Sequence, residues 1–192
     1  ALQEELGLEQ NPDIPLFGFV SRLDAQKGVE LVQEVLPWLV NQGAQVVLLG
    51  TGASKYENFL RQANSHPRIA GLAVFSSALA KKITSASDFL LMPSRFEPCG
   101  LSQQHALRYG TIPIVHATGG LRDTVKSFNP WKKEGNGWAF APFSVSAFQQ
   151  ALHYALMTYY NGQDEFKEMQ VRAMNEDRSW DKAASLYLQV LN

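Results

Sequence analysis

Two cationic side chains, Arg22 and Lys27, lie five residues apart in segment 21–28, between an apolar run and a helix-like pattern. Arginine offers a planar fork of N–H donors and lysine a compact charge. Together they can bind a diphosphate and neutralise charge on a leaving phosphate. The same segment can instead be a solvated loop in which the cations pair with Asp24 or Glu30. The spacing alone leaves both interpretations open.

One carboxylate, Glu97, lies in segment 93–102, where two prolines, a glycine and the helix-starting Ser102 restrict the backbone. A carboxylate on a rigid loop can hydrogen-bond sugar hydroxyls or stabilise positive charge at an anomeric carbon. Alternatively, Glu97 pairs with Arg95 or caps the following helix. Cys99 is expected to be a small packed residue rather than a nucleophile, because no histidine is locally paired with it.

Two further turns contain closely spaced glycines. Segment 50–55 begins like the dinucleotide fingerprint G-x-G-x-x-G, but Lys55 replaces the third glycine. The strand that follows also lacks the acidic residue that binds a ribose, so a tight turn is favoured over a nicotinamide-cofactor site. In the second turn, Thr118, Gly119 and Gly120 can expose N–H groups and let an anion approach closely. Taken alone, that pattern indicates only a turn.

These turns all follow short apolar runs that alternate with helical patterns, which is the rhythm of βαβ units. Two of the runs, residues 46–49 and 89–92, are apolar at every position, which is typical of parallel strands covered on both faces. The sequence therefore predicts a single doubly wound α/β domain over residues 1–192, with a helical tail after about residue 140. The predicted strands are residues 16–20, 45–49, 69–75, 89–92 and 112–115.

Composition excludes several classes of protein. Seventeen basic residues stand against eighteen acidic ones, so no excess positive charge is available to bind nucleic acid or an acidic membrane. A single cysteine excludes an internal disulfide, and the four histidines are too scattered to suggest a metal site. No apolar run approaches the roughly 18 residues of a spanning helix, and the first residues do not resemble a signal peptide. We expect a soluble, intracellular protein.

The turn sequences together resemble the C-terminal half of bacterial glycogen synthases and plant starch synthases. The resemblance is carried by segments 21–28, 48–52, 88–101 and 118–124, and it extends from about Pro15 to the final helix with Ser179 and Trp180. It implies one Rossmann-like half of a GT-B enzyme, a retaining glycosyltransferase with two such domains facing a cleft. Enzymes of this family move glucose from ADP-glucose to the non-reducing end of an α-1,4-glucan.

The resemblance also implies a role for each turn. Two cationic side chains would hold the donor diphosphate, the carboxylate loop would hold the glucose, and the Thr-Gly-Gly turn would approach from the opposite side. Phe75 falls where the family places an aromatic ring against the adenine, although it can as readily be a core residue. The residues expected to act in catalysis are Arg22, Lys27 and Glu97, and those expected to bind the donor are Phe75, Cys99, Gly100, Leu101, Ser102, Thr118, Gly119 and Gly120.

Two departures from the family pattern matter. Relatives in the wider superfamily carry a second glutamate eight residues after the first, where this chain has His105, to which we assign no role. The family's N-terminal domain is absent from the sequence, so the chain is expected either to need that domain for catalysis or to be a module that binds ADP or glucan without turnover. The expected partners are therefore ADP-glucose, an α-1,4-glucan and the missing domain, but neither nucleic acid nor membrane.

No metal or other cofactor is expected, since no Asp-x-Asp pair occurs and cations take the metal's place in this family. The resemblance implies the cytoplasm of a bacterium or the plastid stroma of a plant. It leaves open whether the donor is ADP-glucose or UDP-glucose, because a stacked ring does not discriminate between the bases.

Overall fold

The computed structural model describes residues 1–177 and 179–191, which form alternating strands and helices. The strands are Leu16–Val20 (β1), Gln45–Leu49 (β2), Ile69–Leu72 (β3), Phe89–Met92 (β4), Ile112–His116 (β5) and Trp138–Phe140 (β6). The helices are Leu2–Glu5 (α1), Val29–Asn41 (α2), Ser54–Ala63 (α3), Ser77–Ala86 (α4), Ser102–Tyr109 (α5), Gly119–Thr124 (α6), Val145–Asn161 (α7), Gln163–Asn175 (α8) and Trp180–Leu191 (α9), with a 3-10 turn at Ala25–Lys27.

The strands form one parallel sheet, and the parallel arrangement is the one that the apolar runs predict. Their order in the sheet is β3-β2-β1-β4-β5-β6. The order reverses between β1 and β4, which are neighbours although β2 and β3 lie between them in sequence; Phe17 pairs with Phe89 across this junction. In a doubly wound sheet, a crevice opens at the carboxyl ends of the strands where the order reverses. The turns after β1 and β4, which carry the candidate residues, therefore meet at one place.

Both faces of the sheet are covered, because every residue of β2 is buried. On one face, the side chains of α2, α7 and α8 pack on a core that includes Phe17 and Phe89, whose rings stack 4.6 Å apart. On the other face, α1 and α4 cover a second cluster around Val47 and Ile83. This two-sided burial of apolar surface is the main stabilising contribution to the fold.

Three predicted strands, β1, β2 and β4, have the predicted boundaries, whereas β3 ends three residues earlier than expected. The side chain of Asn64 both donates to and accepts from the backbone of Gly71, at 2.7 Å in each bond. These bonds satisfy the backbone groups of Gly71 at the outer edge of β3. The strand ends at Leu72 because this residue pairs with Leu49, the last residue of β2. Phe75 lies beyond it, in the turn that leads from β3 to α4.

Candidate functional site

Lys27 and Glu97 form an ion pair where the order of the strands reverses. Lys27 Nζ lies 2.5 Å from Glu97 Oε2, and Ser94 Oγ donates to the same oxygen at 3.3 Å. The Glu97 side chain is 11% exposed and that of Lys27 is 24% exposed. Both alternatives considered for Glu97 are wrong, because Arg95 pairs with Glu30 and none of the side chains that the structure describes caps α5. The carboxylate is thus held inside the crevice by a partner distant in sequence.

The local backbone explains how Lys27 reaches the crevice. Asp24 caps the 3-10 turn through Oδ1, which accepts from the backbone N–H of Lys27 at 3.1 Å. The next residue, Gly28, has φ +69°, and a Cβ there would lie 1.9 Å from the carbonyl oxygen of Pro93. Only glycine satisfies both conditions. The close approach brings the turn after β1 against the turn after β4, and the N–H of Arg95 donates to Gln26 O at 2.8 Å.

Arg22 lies at the mouth of the crevice and pairs with Asp24, so the solvated-loop alternative describes its state in this structure. Its side chain is 65% exposed, and an ion pair at such a site contributes little to stability. Lys27 pairs with neither of the carboxylates proposed from sequence. The two cations therefore differ in their surroundings: Arg22 is paired at the exposed mouth of the crevice, and Lys27 is paired with Glu97 inside it.

The crevice has a volume of about 190 Å³, and its lining includes Arg22, Lys27, Glu97 and residues 100–102. No described side chain caps the N-terminus of α5, which borders this space. Uncapped N–H groups and the helix dipole favour an anion at such a position. Cys99 is exposed, so the expectation that its thiol is packed is wrong.

Gln103 is a site residue that the sequence analysis missed. It is fully buried, and the two N–H groups on its Nε2 are shared among three acceptors: Cys99 O at 3.1 Å, Gly100 O at 2.8 Å and Thr124 Oγ1 at 3.1 Å. Thr124 in turn donates to Gly120 O at 2.6 Å. The sequence signal that could have identified it is an amide side chain at the start of a helix, three residues after the glycine of the preceding loop. Gln103 thereby fixes the carboxylate loop to the glycine turn that faces it.

His116, at the end of β5, is a second missed residue. Its Nδ1 lies 2.8 Å from the carbonyl oxygen of Ser94, which can only accept, so Nδ1 carries the proton. The imidazole also contacts the rings of Phe140 and Phe143, with centroids 5.5 and 5.2 Å away. His116 therefore holds the segment whose Ser94 hydroxyl binds Glu97.

The Thr118, Gly119 and Gly120 turn lies beside the carboxylate loop but presents fewer free N–H groups than expected. The N–H of Gly120 donates to Glu97 O at 3.0 Å and to Pro98 O at 3.2 Å, so this amide is not available to an anion. Added Cβ atoms at Gly119 and Gly120 would each lie 2.1 Å from a carbonyl oxygen of the opposing loop. The N–H of Thr118 donates to His116 O at 2.8 Å and is also not available. The paired glycines thus serve the close approach of two protein segments, and anion binding by a backbone N–H group of this turn stays a prediction for Gly119 alone.

Phe75 and the turn at residues 50–55 border the same edge of the sheet. Phe75 is 88% exposed, so the alternative that it is a core residue is wrong. The N–H of Gly52 donates to Glu57 Oε1 at 3.1 Å, and this bond, followed by that from Arg61, lowers the pKa of Glu57. A Cβ at Gly52 would lie 2.3 Å from the carbonyl oxygen of Leu23. Both observations support the interpretation of this segment as a tight turn.

Neither a metal centre nor a spanning helix is found in the part of the chain that the structure describes. No group of three or more histidine, cysteine, aspartate or glutamate residues in residues 1–177 and 179–191 could hold a metal ion. Likewise, none of the helices in these ranges is long and apolar enough to cross a membrane.

Comparison with known proteins identifies relatives along the whole chain. The pattern of the Glycosyl transferases group 1 family matches residues 5–171. The chain is 48% identical to soluble starch synthase 2-1 of Oryza sativa subsp. japonica and 49% identical to starch synthase 2 of Arabidopsis thaliana, with 100% of this chain covered in both cases. These relatives are much longer, since the matched part makes up 26% and 24% of their lengths.

Solved structures give the same result for the fold. The catalytic domain of starch synthase IV from Arabidopsis thaliana, bound to ADP and acarbose, matches 98% of this chain with a TM-score of 0.89 and 34% identity, and the match covers 40% of that structure. A sucrose-phosphate synthase from Thermosynechococcus elongatus matches with a TM-score of 0.68 at 22% identity, which supports the fold alone. The sheet described above is thus the Rossmann-like fold of GT-B glycosyltransferases, and the chain belongs to the glycosyl transferases group 1 family.

Proposed function

We propose that this chain is the donor-binding domain of a retaining glucosyltransferase that moves glucose from ADP-glucose to the non-reducing end of an α-1,4-glucan. The observation that carries the proposal is the pairing of Lys27 with Glu97 in the crevice between β1 and β4. A cation that can bind a phosphate and a carboxylate that can bind a sugar thus lie side by side, which supports the proposal. The similarity to starch synthases over the whole chain supports the same substrate class.

The leaving group of such a transfer is a nucleoside diphosphate, which gains negative charge as its bond to the anomeric carbon breaks. Arg22 and Lys27 are proposed to stabilise that charge, the first by a forked set of donors and the second as a point charge. The uncapped N-terminus of α5 adds partial positive charge on the same side. With these groups in place, we propose that the domain needs no metal ion or other cofactor.

Glu97 is proposed to act on the sugar. As the leaving group departs, the anomeric carbon becomes positively charged, and a carboxylate held in a water-poor crevice stabilises that charge strongly. The bonds from Ser94 and Lys27 orient the carboxylate before the donor binds. The backbone of residues 99–102 would contact the glucose, and Phe75, which is exposed at the edge of the sheet, would stack against the adenine.

A second domain is part of this proposal, because the chain spans about a quarter of the length of its curated relatives. The side chain of Arg22, which lines the crevice, is 65% exposed to solvent. We propose that the missing N-terminal domain closes the crevice and supplies most contacts to the acceptor glucan. In a plant, such an enzyme would work in the plastid, as the chloroplastic and amyloplastic relatives do; in a bacterium, it would work in the cytoplasm.

The proposal is tested by calorimetric titration of this chain with ADP, in competition with UDP. Arg22→Ala and Lys27→Ala should each weaken ADP binding by about 1.5–3 kcal/mol, the scale of hydrogen bonds to charged groups, and less in high salt. Lys82→Ala is the matched control. Lys82 is likewise paired with a glutamate, Glu5, at 2.7 Å, but it does not line the crevice, so ADP affinity should not change. Unchanged ADP affinity in both variants would show that Arg22 and Lys27 do not bind the diphosphate. Tighter binding of UDP than of ADP would indicate UDP-glucose, rather than ADP-glucose, as the donor.

We propose as a second candidate function a module that binds ADP or a glucan without turnover when the chain is isolated. We expect the chain alone to bind ADP but not to transfer glucose, because most contacts to the acceptor are proposed to come from the other domain. Transfer of radiolabelled glucose from ADP-glucose to maltoheptaose separates the two cases. Turnover by the isolated chain would show that this domain alone contains the complete catalytic site.

A further inference from the structure

A long groove runs along α7 on the side of the domain that carries β6. Its volume is about 730 Å³. Its floor consists of buried side chains, among them Trp138, Phe140 and Ala151. One wall is α7, and the facing wall is the loop that contains Ser127 and Trp131. The crevice with Lys27 and Glu97 has an entirely different lining.

The groove is elongated. Its residues on α7 extend from Ala147 to Asn161, which corresponds to about 21 Å along a helix axis. The volume is within the range of small-molecule sites, roughly 300–1,000 Å³. A groove of this length and volume suits an extended oligomer better than a compact metabolite.

Three exposed apolar side chains line the groove. Trp131 is 90% exposed, Tyr154 54% and Met157 48%. A concentration of large apolar groups in contact with water is unfavourable, and it marks surfaces that bind a ligand or partner. A pyranose ring presents one face composed of C–H groups, which packs well on the flat face of an indole or phenol ring.

The polar lining indicates the charge of the occupant. Gln150 and Glu165 also line the groove, and neither makes a hydrogen bond through its side chain to another of the described residues. Their amide and carboxylate groups can bind hydroxyl groups. The described lining contains no lysine, arginine or histidine, so a phosphorylated or acidic ligand has no counter-charge here. A neutral polyhydroxyl chain satisfies both the aromatic and the polar groups.

An added peptide strand fits less well, although β6 is the last strand of the sheet. The loop already occupies part of the outer edge of β6: Phe128 N donates to Gly137 O at 2.9 Å, and Ala139 N donates to Ser127 Oγ at 2.9 Å. Peptide recognition by strand addition depends on free backbone groups at such an edge.

We propose that the groove between α7 and the Trp131 loop binds a segment of α-1,4-glucan, apart from the site of glucose transfer. This proposal rests on the proposed function, which supplies the polymer. A chain held in the groove stays tethered to the enzyme after each transfer. Tethering raises the effective concentration of its free end without any change in the catalytic residues.

The test is a titration of this chain with maltoheptaose, followed by calorimetry and by tryptophan fluorescence, with the contribution of Trp131 taken from the difference between the parent chain and Trp131→Phe. We expect Trp131→Ala and Tyr154→Ala each to weaken binding about tenfold, as the loss of one stacked ring predicts. Trp131→Phe retains a flat ring and should retain most of the affinity. Trp180→Ala is the matched control, since Trp180 is 86% exposed but lies outside the groove, and it should have no effect.

ADP titration of the same variants separates this proposal from the proposed function. ADP affinity should be unchanged in Trp131→Ala, and maltoheptaose affinity should be unchanged in Lys27→Ala. If maltoheptaose does not bind, or binds Trp131→Ala as well as the parent chain, the groove proposal is wrong while the donor site stands. Self-association that Trp131→Ala abolishes, measured by sedimentation without any sugar binding, would assign the groove to a second copy of the chain and also overturn the proposal.

Discussion

The substitution Glu97→Gln tests the role of the carboxylate, because glutamine has nearly the same shape as glutamate. The amide oxygen can still accept hydrogen bonds from Ser94 and Lys27, which lie 3.3 and 2.5 Å from Glu97 Oε2 in the parent protein. Only the negative charge is lost. Because the side chain is 11% exposed, water can replace that charge only in part.

Glu97→Gln is expected to lower both the stability of the protein and the rate of transfer, by different amounts. Complete removal of one partner of a buried ion pair costs about 3–5 kcal/mol of stability. Here Lys27 is a quarter exposed and keeps an oxygen acceptor, so we expect a loss of about 1–2 kcal/mol. Loss of an electrostatic stabiliser from the transition state costs about 3 kcal/mol, or about a hundredfold in rate. The effect on rate should therefore exceed the effect on stability.

The assay measures kcat and the donor KM in a two-domain enzyme that contains this chain, together with the melting temperature and ADP affinity. Glu30→Gln is the matched control, because it makes the same chemical change in the neighbouring pair with Arg95, whose N–O distance is 2.6 Å. We expect kcat to fall only in Glu97→Gln, with ADP affinity retained. A stable variant with nearly normal kcat would refute the catalytic assignment, and a lower melting temperature with normal activity per folded molecule would leave Glu97 a structural role.

Three further variants test other parts of the structure. Gln103→Glu replaces an N–H donor with an oxygen acceptor opposite the carbonyl groups of Cys99 and Gly100. We expect kcat/KM to fall about tenfold, with a higher KM for the donor. Unchanged kinetics would contradict the positioning role of Gln103. Phe75→Ala should weaken ADP binding in the same titration without lowering the melting temperature, because the ring is exposed; a large loss of stability would contradict this. Burial raises the pKa of Asp88 from 3.8 to about 6, so the folded state holds this proton more tightly and stability falls as pH rises through that interval. Asp88→Asn should remove that part of the pH dependence of the free energy of unfolding, about 3 kcal/mol, as measured by melting experiments from pH 4 to 7. Parallel pH profiles for the variant and the parent chain would contradict this.

The elements that position the site are predictable because their sequence signal is local. Strands buried on both faces are apolar along most of their length, so the apolar runs 46–49 and 89–92 located β2 and β4, although β2 also includes the buried Gln45. The parallel arrangement then puts the turns that follow the strands at one edge. Arg22, Lys27 and Glu97 were found in this way, without knowledge of their contacts.

The contacts themselves depend on the order of strands, which local patterns do not encode. Every partner considered for Glu97 and Lys27 lay within a few residues of one of them, yet the two residues pair with each other across 70 positions. The same limitation affected Gly120, whose N–H is used by the opposing loop rather than left free. Phe75 was assigned to a strand because apolar runs do not show where an edge strand loses its partner.

The Lys27–Glu97 pair explains how one crevice can hold a cation and an anion before any ligand arrives. Each charge alone would be costly to bury, and together they neutralise each other. On the function proposed above, a bound diphosphate would offer Lys27 a second and stronger anionic partner. We propose that Lys27 then turns to the phosphates, so that Glu97 loses part of its neutralising contact and its field at the sugar increases. Donor binding and activation of the carboxylate would be coupled in this way, so ADP affinity and turnover are to be measured on the same Glu97 variant.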